Sequence, residues 1–315
     1  WGDLHVHSNL SPDSFAFGNT RLTPDNSLEF AKGNRVTANN GMDIKLRRPL
    51  DFLLVADHAE FIGVFPRLLN EDKDFLATDL GADWHRILKE NDGDIGSIIA
   101  EWLVRLQNPN YEQELSEEFR LGIWKDVAAA AERHNNPGVF TAFVGYEWTA
   151  MVQGNNLHRV VLYRDDAETA TKIVPFSALD SQNPEMLWDA LEKYEEETSG
   201  QVMSIPHNGN VSNGFMFAEE TLAGKPFDKS YAEARARWEP VYEVTQVKGD
   251  GEAHPFLSPD DEFADFETWD DDNIGRTVPK QNSMLKHEYA RSALKLGLEL
   301  QDKIGVNPYE FALIG

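Results

Sequence analysis

The 315 residues carry 29 Lys and Arg against 54 Asp and Glu, a net charge of −25 with histidine neutral. A surface that acidic repels the phosphate backbone and argues against a DNA- or RNA-binding role. The chain contains no cysteine, which excludes disulfides, thiolate zinc sites and cysteine nucleophiles together, so any metal must sit on nitrogen and oxygen.

The length admits one large α/β barrel or two ordinary domains. No apolar run approaches the roughly 18 to 20 residues needed to cross a bilayer, which predicts a chain without a membrane anchor. The first residue is Trp1 rather than methionine, consistent with a removed leader, and a periplasmic or secreted location is expected, with the cytoplasm as the alternative.

In chain order, strand-like runs are predicted at Asp3 to His7, Asp51 to Ala56, Val139 to Gly145, Leu157 to Tyr163, Val202 to Ile205, Val241 to Val247 and Glu310 to Ile314. Helical patterns fall at Glu118 to His134, Glu185 to Glu197, Lys229 to Arg237 and Met284 to Ile304, the last closing on Gly305 and Pro308. The alternation predicts an α/β architecture. Residues 61–136 are expected to be a helical insertion, and Gly249 to Pro279, with its run Asp270-Asp271-Asp272, an acidic loop. No repeat or linker stands out, so a single domain over 1–315 is expected. The final run, Tyr309 to Gly315, is apolar with no polar tail behind it, which predicts a further C-terminal segment of the same polypeptide.

Candidate chemistry sits where strands end. His5 and His7, at i and i+2 on a strand, project to one side and can share a cation. The apolar run Asp51 to Ala56 ends in Asp57-His58, Phe140 to Tyr146 ends in Glu147, and Val202 to Pro206 ends in His207. Ionisable groups placed where apolar strands stop are a pattern of barrel active sites, whose rim collects side chains from several strands. His85, His134, His254 and His287 lie in helical or loop contexts and are expected to be surface or packing residues. Asp57 is expected to orient a neighbour rather than to ligate.

The ordered set Gly2-Asp3-Leu4-His5-Val6-His7-Ser8, Ala56-Asp57-His58-Ala59-Glu60, Gly145-Tyr146-Glu147-Trp148-Thr149 and Ile205-Pro206-His207-Asn208 resembles the PHP (polymerase and histidinol phosphatase) superfamily of metal hydrolases, in particular an often exported branch. The resemblance implies a distorted TIM-like (βα)7-type barrel, incomplete at its C-terminus. It implies two or three divalent ions, zinc, manganese or iron: His5 and His7 on a first, Glu147 bridging to a second held with His158 and His207, and Asp13 with His58 on a third. Members also carry an Asp-x-His pair after a late strand, and Gly315 is where that pair would be expected to follow.

The function so implied is metal-dependent hydrolysis of a small phosphoester by a metal-bridging hydroxide, with Glu147, His58 and Arg159 as catalytic candidates. Arg159 and Asn208 would contact substrate oxygens, although Arg159 has a rival role in pairing with an acidic neighbour. Hydrolysis of a carboxylic ester, amide or sulfate ester at the same site, and metal binding without turnover, are the alternatives. Gly-x-Ser-x-Gly and a Gly-rich Lys-Ser/Thr loop are both missing, which leaves serine-triad and phosphate-loop chemistry without support.

Overall fold

The computed structural model describes residues 1–108, 111 and 113–315; within the expected insertion 61–136, residues 109, 110 and 112 lie outside the described residues. From the N-terminus, strand β1 (Gly2–Val6) leads to α1 (Pro12–Ala16), α2 (Pro24–Ala31), the two-residue strands β2 (Val36–Thr37) and β3 (Asp43–Ile44), and β4 (Phe52–Val55). Helices α3 (Val64–Leu69), α4 (Lys73–Leu76), α5 (Asp79–Glu90), α6 (Ile95–Gln107) and α7 (Glu117–His134) follow, and then β5 (Thr141–Trp148). Next come β6 (Met151–Val152), β7 (Asn155–Asn156), β8 (Arg159–Tyr163), α8 (Ala167–Ala170), α9 (Pro184–Thr198), β9 (Val202–Pro206) and α10 (Lys229–Trp238). The chain closes with β10 (Val241–Glu243), β11 (Thr245–Gln246), β12 (Gly249–Asp250), α11 (Asn282–Leu285), α12 (Ala290–Ile304) and β13 (Ala312–Ile314).

Two compact units emerge: residues 1–148, 161–180 and 194–202 form the first, and residues 149–160, 181–193 and 203–315 the second. In the first, β1 pairs with β4 and β4 with β5, all parallel, and the register of β1 slips between Asp3 and Val6. Leu53, Leu54 and Val55 of β4 are buried in succession, as expected of a parallel strand covered on both faces. Helix α7 packs on α2 and β5. Its start is set by Ser116, whose side chain accepts the Phe119 N–H, with Glu117 and Glu118 in the first turn and Arg133 and His134 in the last, each sign where the helix dipole favours it. The segment after β4 packs Phe61, Phe65, Phe75, Trp84, Trp102 and Leu115 into a core that Phe15 of α1 joins.

The second unit packs Phe217, Tyr242, Ala293, Leu300 and Tyr309 into another core. The single helix expected over Met284 to Ile304 is two helices. Between them the His287 carbonyl accepts the Phe217 N–H and Glu288 turns inward to Lys280, 2.6 Å away, so the backbone there serves tertiary contacts instead of a helical ladder. The run Val241 to Val247 is likewise divided, with Val244 between β10 and β11.

The closed barrel expected from the resemblance is not what forms. The largest sheet is open, five strands in the order β1-β4-β5-β8-β9, and the other sheets have two strands each. The continuation beyond β9 fails for a local reason: its last residue is Pro206, which has no N–H to give a neighbour. What remains between β9 and β10 is the isolated parallel pairing His207–Glu243, and β10 takes β13 as its partner in a separate parallel pair. No helix among the described residues is long and apolar enough to cross a membrane.

Candidate metal centre

Five of the residues singled out in the sequence lie in the first unit and converge there. His5 is on β1, and His7 follows it by one residue past the strand end. Asp13 is in the first turn of α1, a five-residue helix that Pro12 begins. His58 stands three residues beyond β4 and is held against β5 by an isolated parallel pairing with Glu147. Glu147 belongs to a fully buried stretch of β5 whose neighbours Tyr146 and Trp148 are also buried.

One carboxylate oxygen is the focus. Glu147 Oε2 lies 3.3 Å from His5 Nε2, 2.8 Å from His7 Nε2 and 3.1 Å from His58 Nδ1, and the Glu147 side chain has no solvent exposure. On the far side of the two later imidazoles, Asp13 approaches His7 Nδ1 at 3.0 Å and His58 Nε2 at 3.3 Å. His7 and His58 therefore each span two carboxylates, with ring centroids 4.6 Å apart and planes at 71°. Two groups of ligand atoms result, His5–His7–Glu147 and His7–Asp13–His58, each with its atoms within 4.8 Å of one another.

The donor set fits a divalent cation. Three imidazoles and two carboxylates are nitrogen and oxygen ligands of the kind zinc, manganese and iron accept. Ligands about 2.0–2.1 Å from a tetrahedral ion stand roughly 3.4 Å apart, so the contacts around Glu147, 2.8 to 3.3 Å, would open by about 0.6 Å at most. Electrostatics describes the same competition. Burial works against a charge on His7, yet the hydrogen bonds and charges of Asp13 and Glu147 carry its pKa up to about 10. Asp13, despite its burial, is held far below the usual carboxylate range by His58 and His7.

Two serines that motif spacing did not single out support this arrangement. Ser11 Oγ donates to Asp13 at 2.7 Å and accepts the His58 backbone N–H at 3.2 Å. Ser8 donates its N–H and its hydroxyl to the two oxygens of Asp57, at 2.6 and 2.7 Å. Asp57 is fully buried and bound to the residue next to His7, not aimed at the ligand atoms. Its pKa is raised by burial, against the pull of His7 and Ser8. Glu60 accepts the Ala178 N–H in the first unit.

His158, Arg159, His207 and Asn208 belong to the second unit. The His158 and His207 rings are 5.7 Å apart, edge to face, and Asn156 donates to the carbonyls of His207 at 2.7 Å and Asn208 at 3.1 Å. Asn208 adopts a left-handed backbone at φ 52° and is buried. Arg159 is 1% exposed and gives its Nε–H to Glu239 at 2.9 Å. Glu243, which pairs with His207 in the second unit, went unremarked in the sequence. Its signal was there, because Val241-Tyr242-Glu243 is another apolar run ending in a carboxylate.

The remaining histidines have ordinary partners. His134 meets Asp25 at 2.9 Å and Glu29 at 3.1 Å, and His254 meets Asp270 at 2.7 Å. His287 lies 2.9 Å from the Phe217 carbonyl, and His85 lies 3.5 Å from Glu71.

A family model described as "Protein of unknown function (DUF3604)" matches residues 1–315. No curated protein matches the chain.

Proposed function

The chain belongs to the DUF3604 family, and for this member we propose metal-dependent hydrolysis of an ester, with a small phosphoester as the preferred substrate. The observation that carries the reading is the convergence of three imidazole nitrogens within 3.3 Å of one buried oxygen of Glu147, with Asp13 closing a second ligand group. Uncompensated buried charge is costly, and a cation at each group would discharge the two carboxylates while leaving the imidazoles neutral and ligating. The resemblance in the four motifs supports the preference for phosphorus and adds His158 and His207 as ligand candidates.

His5, His7 and Glu147 would hold one ion, and Asp13 with His58 another. A divalent cation so held would supply Lewis-acid polarisation of water and of the ester oxygen. The chain's own residues keep that chemistry in place. Ser11 ties Asp13 to the His58 backbone, and Asp57 fixes the turn that carries His7 through Ser8. Such supporting contacts tune affinity by about 10- to 100-fold in other metal sites. Arg159, which pairs with Glu239, takes no part in the hydrolysis in this reading.

The test starts from protein purified without chelators, analysed for bound metal and assayed on bis(p-nitrophenyl) phosphate, p-nitrophenyl phosphate, p-nitrophenyl acetate and p-nitrophenyl sulfate. Bound zinc, manganese or iron is expected, with phosphoester turnover that disappears on chelation and returns with the ion. Glu147→Gln should lower kcat/KM by at least about 100-fold, beyond what loss of a supporting contact costs, while far-UV circular dichroism stays unchanged. Faster turnover of the acetate or the sulfate would replace the substrate class. Saturating metal with no turnover of any of the four would leave a metal-binding protein that is not an enzyme, and full activity in Glu147→Gln would remove the site.

A further inference from the structure

The second unit contains a cavity of about 300 Å³ that both Arg159 and Arg235 line. That volume is at the lower end of small-molecule sites. The two arginines are 1% and 3% exposed, and they share the carboxylate of Glu239, Arg159 Nε at 2.9 Å and Arg235 Nε at 3.1 Å. Trp188 also donates to Glu239, at 3.0 Å. Arg235 is fixed in orientation: it donates to the Met216 carbonyl at 2.7 Å, and its guanidinium lies 4.7 Å from the centroid of the Tyr309 ring.

The rest of the wall is mainly apolar, with Leu157, Pro184, Phe215, Phe227 and Tyr231, and the last two stack with centroids 3.9 Å apart. The rim is a small hairpin in which Glu220 pairs with Pro226 and Gly224 donates back to the Thr221 carbonyl. Leu222 stands on that rim, 40% exposed, and Glu220 faces solvent there.

We propose that this cavity is a binding site for a small organic carboxylate, its charged head toward Arg159 and Arg235 and its apolar body against Phe215, Phe227 and Leu157. A planar carboxylate suits the guanidinium fork. Burying one aromatic or short aliphatic body against these walls removes apolar surface from water without requiring Arg235 to be reoriented. The proposal is independent of the hydrolase reading, since none of these residues is a metal-ligand candidate.

The experiment is calorimetric titration of the whole chain with benzoate and with hexanoate, using benzyl alcohol as the neutral counterpart of benzoate. Saturable binding of at least one carboxylate and at least 10-fold weaker binding of benzyl alcohol are expected. Leu222→Trp, which fills the mouth from an exposed position, should weaken the carboxylate at least 10-fold, and Glu147→Gln should leave it unchanged, which separates this site from the metal centre. Arg235→Gln should abolish binding; if that variant does not fold, Leu222→Trp decides. Absence of binding by both carboxylates at millimolar concentration, equal binding of benzyl alcohol, undiminished binding in Leu222→Trp, or loss in Glu147→Gln would each overturn the proposal.

Discussion

At the scale of single residues, the chain keeps its ionisable groups inside by pairing them. Glu147 is surrounded by imidazoles, Glu239 by two guanidiniums and a tryptophan, and Glu288 by Lys280 at 2.6 Å with no solvent exposure. Glu288 belongs to none of the candidate ligand groups and offers a separate titration. Burial pushes its carboxyl up to about 7, against the pull of Lys280 and of the N–H groups of Asn213 and Gly214. A folded-state pKa above the unfolded value means that the native state binds the proton more tightly. The favourable contribution is therefore complete below the ordinary carboxylate range and is lost as pH rises to about 7. The loss should be on the order of 3 kcal/mol. Urea unfolding of the wild type and Glu288→Gln at pH 4.5, 6 and 8 should show the wild type losing stability relative to the variant across that window. Parallel curves would show that Glu288 stays ionised throughout.

At the scale of elements, β5 carries the central carboxylate, and its approach to its neighbours depends on Gly145. A Cβ there would lie 2.3 Å from the Val161 carbonyl oxygen and 2.8 Å from Leu54 Cδ1, both inside contact distance, and the first is backbone that cannot swing aside. Gly145→Ala should cost about 1–3 kcal/mol, the usual penalty of overpacking, and should weaken metal binding because Glu147 is two residues along the same strand. Gly122, inside α7, is the matched control, since a Cβ added there would meet nothing within 4 Å. Gly122→Ala should stabilise by about 0.5–1 kcal/mol through helix propensity alone. Urea midpoints and a metal titration on both variants check this; equal effects would mean that β5 has slack which the distances deny.

The elements also explain which expectations failed. Strand and helix periods are local, and they placed β1, β4, β5, β8, β9, α7, α9 and α10 close to where they form. The break between α11 and α12 was not visible in that period, because apolar spacing continues through it. What interrupts the helix is a carbonyl claimed by Phe217, remote in sequence, and a glutamate claimed by Lys280, which precedes α11.

At the scale of the whole molecule, a net charge of −25 sets a long-range field that opposes an anionic substrate, while cations at the ligand cluster would attract it at short range. Salt screens the first far more than the second: the Debye length falls from about 30 Å at 0.01 M to about 8 Å at physiological ionic strength. With metal-loaded protein, kcat/KM for an anionic phosphoester should therefore rise over that range, whereas a neutral ester should be indifferent. A fall for the phosphoester would show that the field at the centre, not the net charge, governs approach.

The sequence by itself limited the donors that any metal could meet. Without cysteine only nitrogen and oxygen ligands remain, and histidines and a glutamate at the ends of apolar runs mark where such ligands can gather, because strand ends release the chain from the ladder with its side chains directed by the last pairs. It could not determine that His7 and His58 would each span Glu147 and Asp13, since those contacts join residues up to 140 positions apart. Nor could it decide between a closed barrel and an open sheet. Closure is a property of which edges find partners, and that was settled by Pro206 giving no donor beyond β9 and by β10 finding β13 instead. Periodicity records how each segment meets its own two faces; which segment lies opposite is fixed only when distant backbones compete for the same hydrogen bonds.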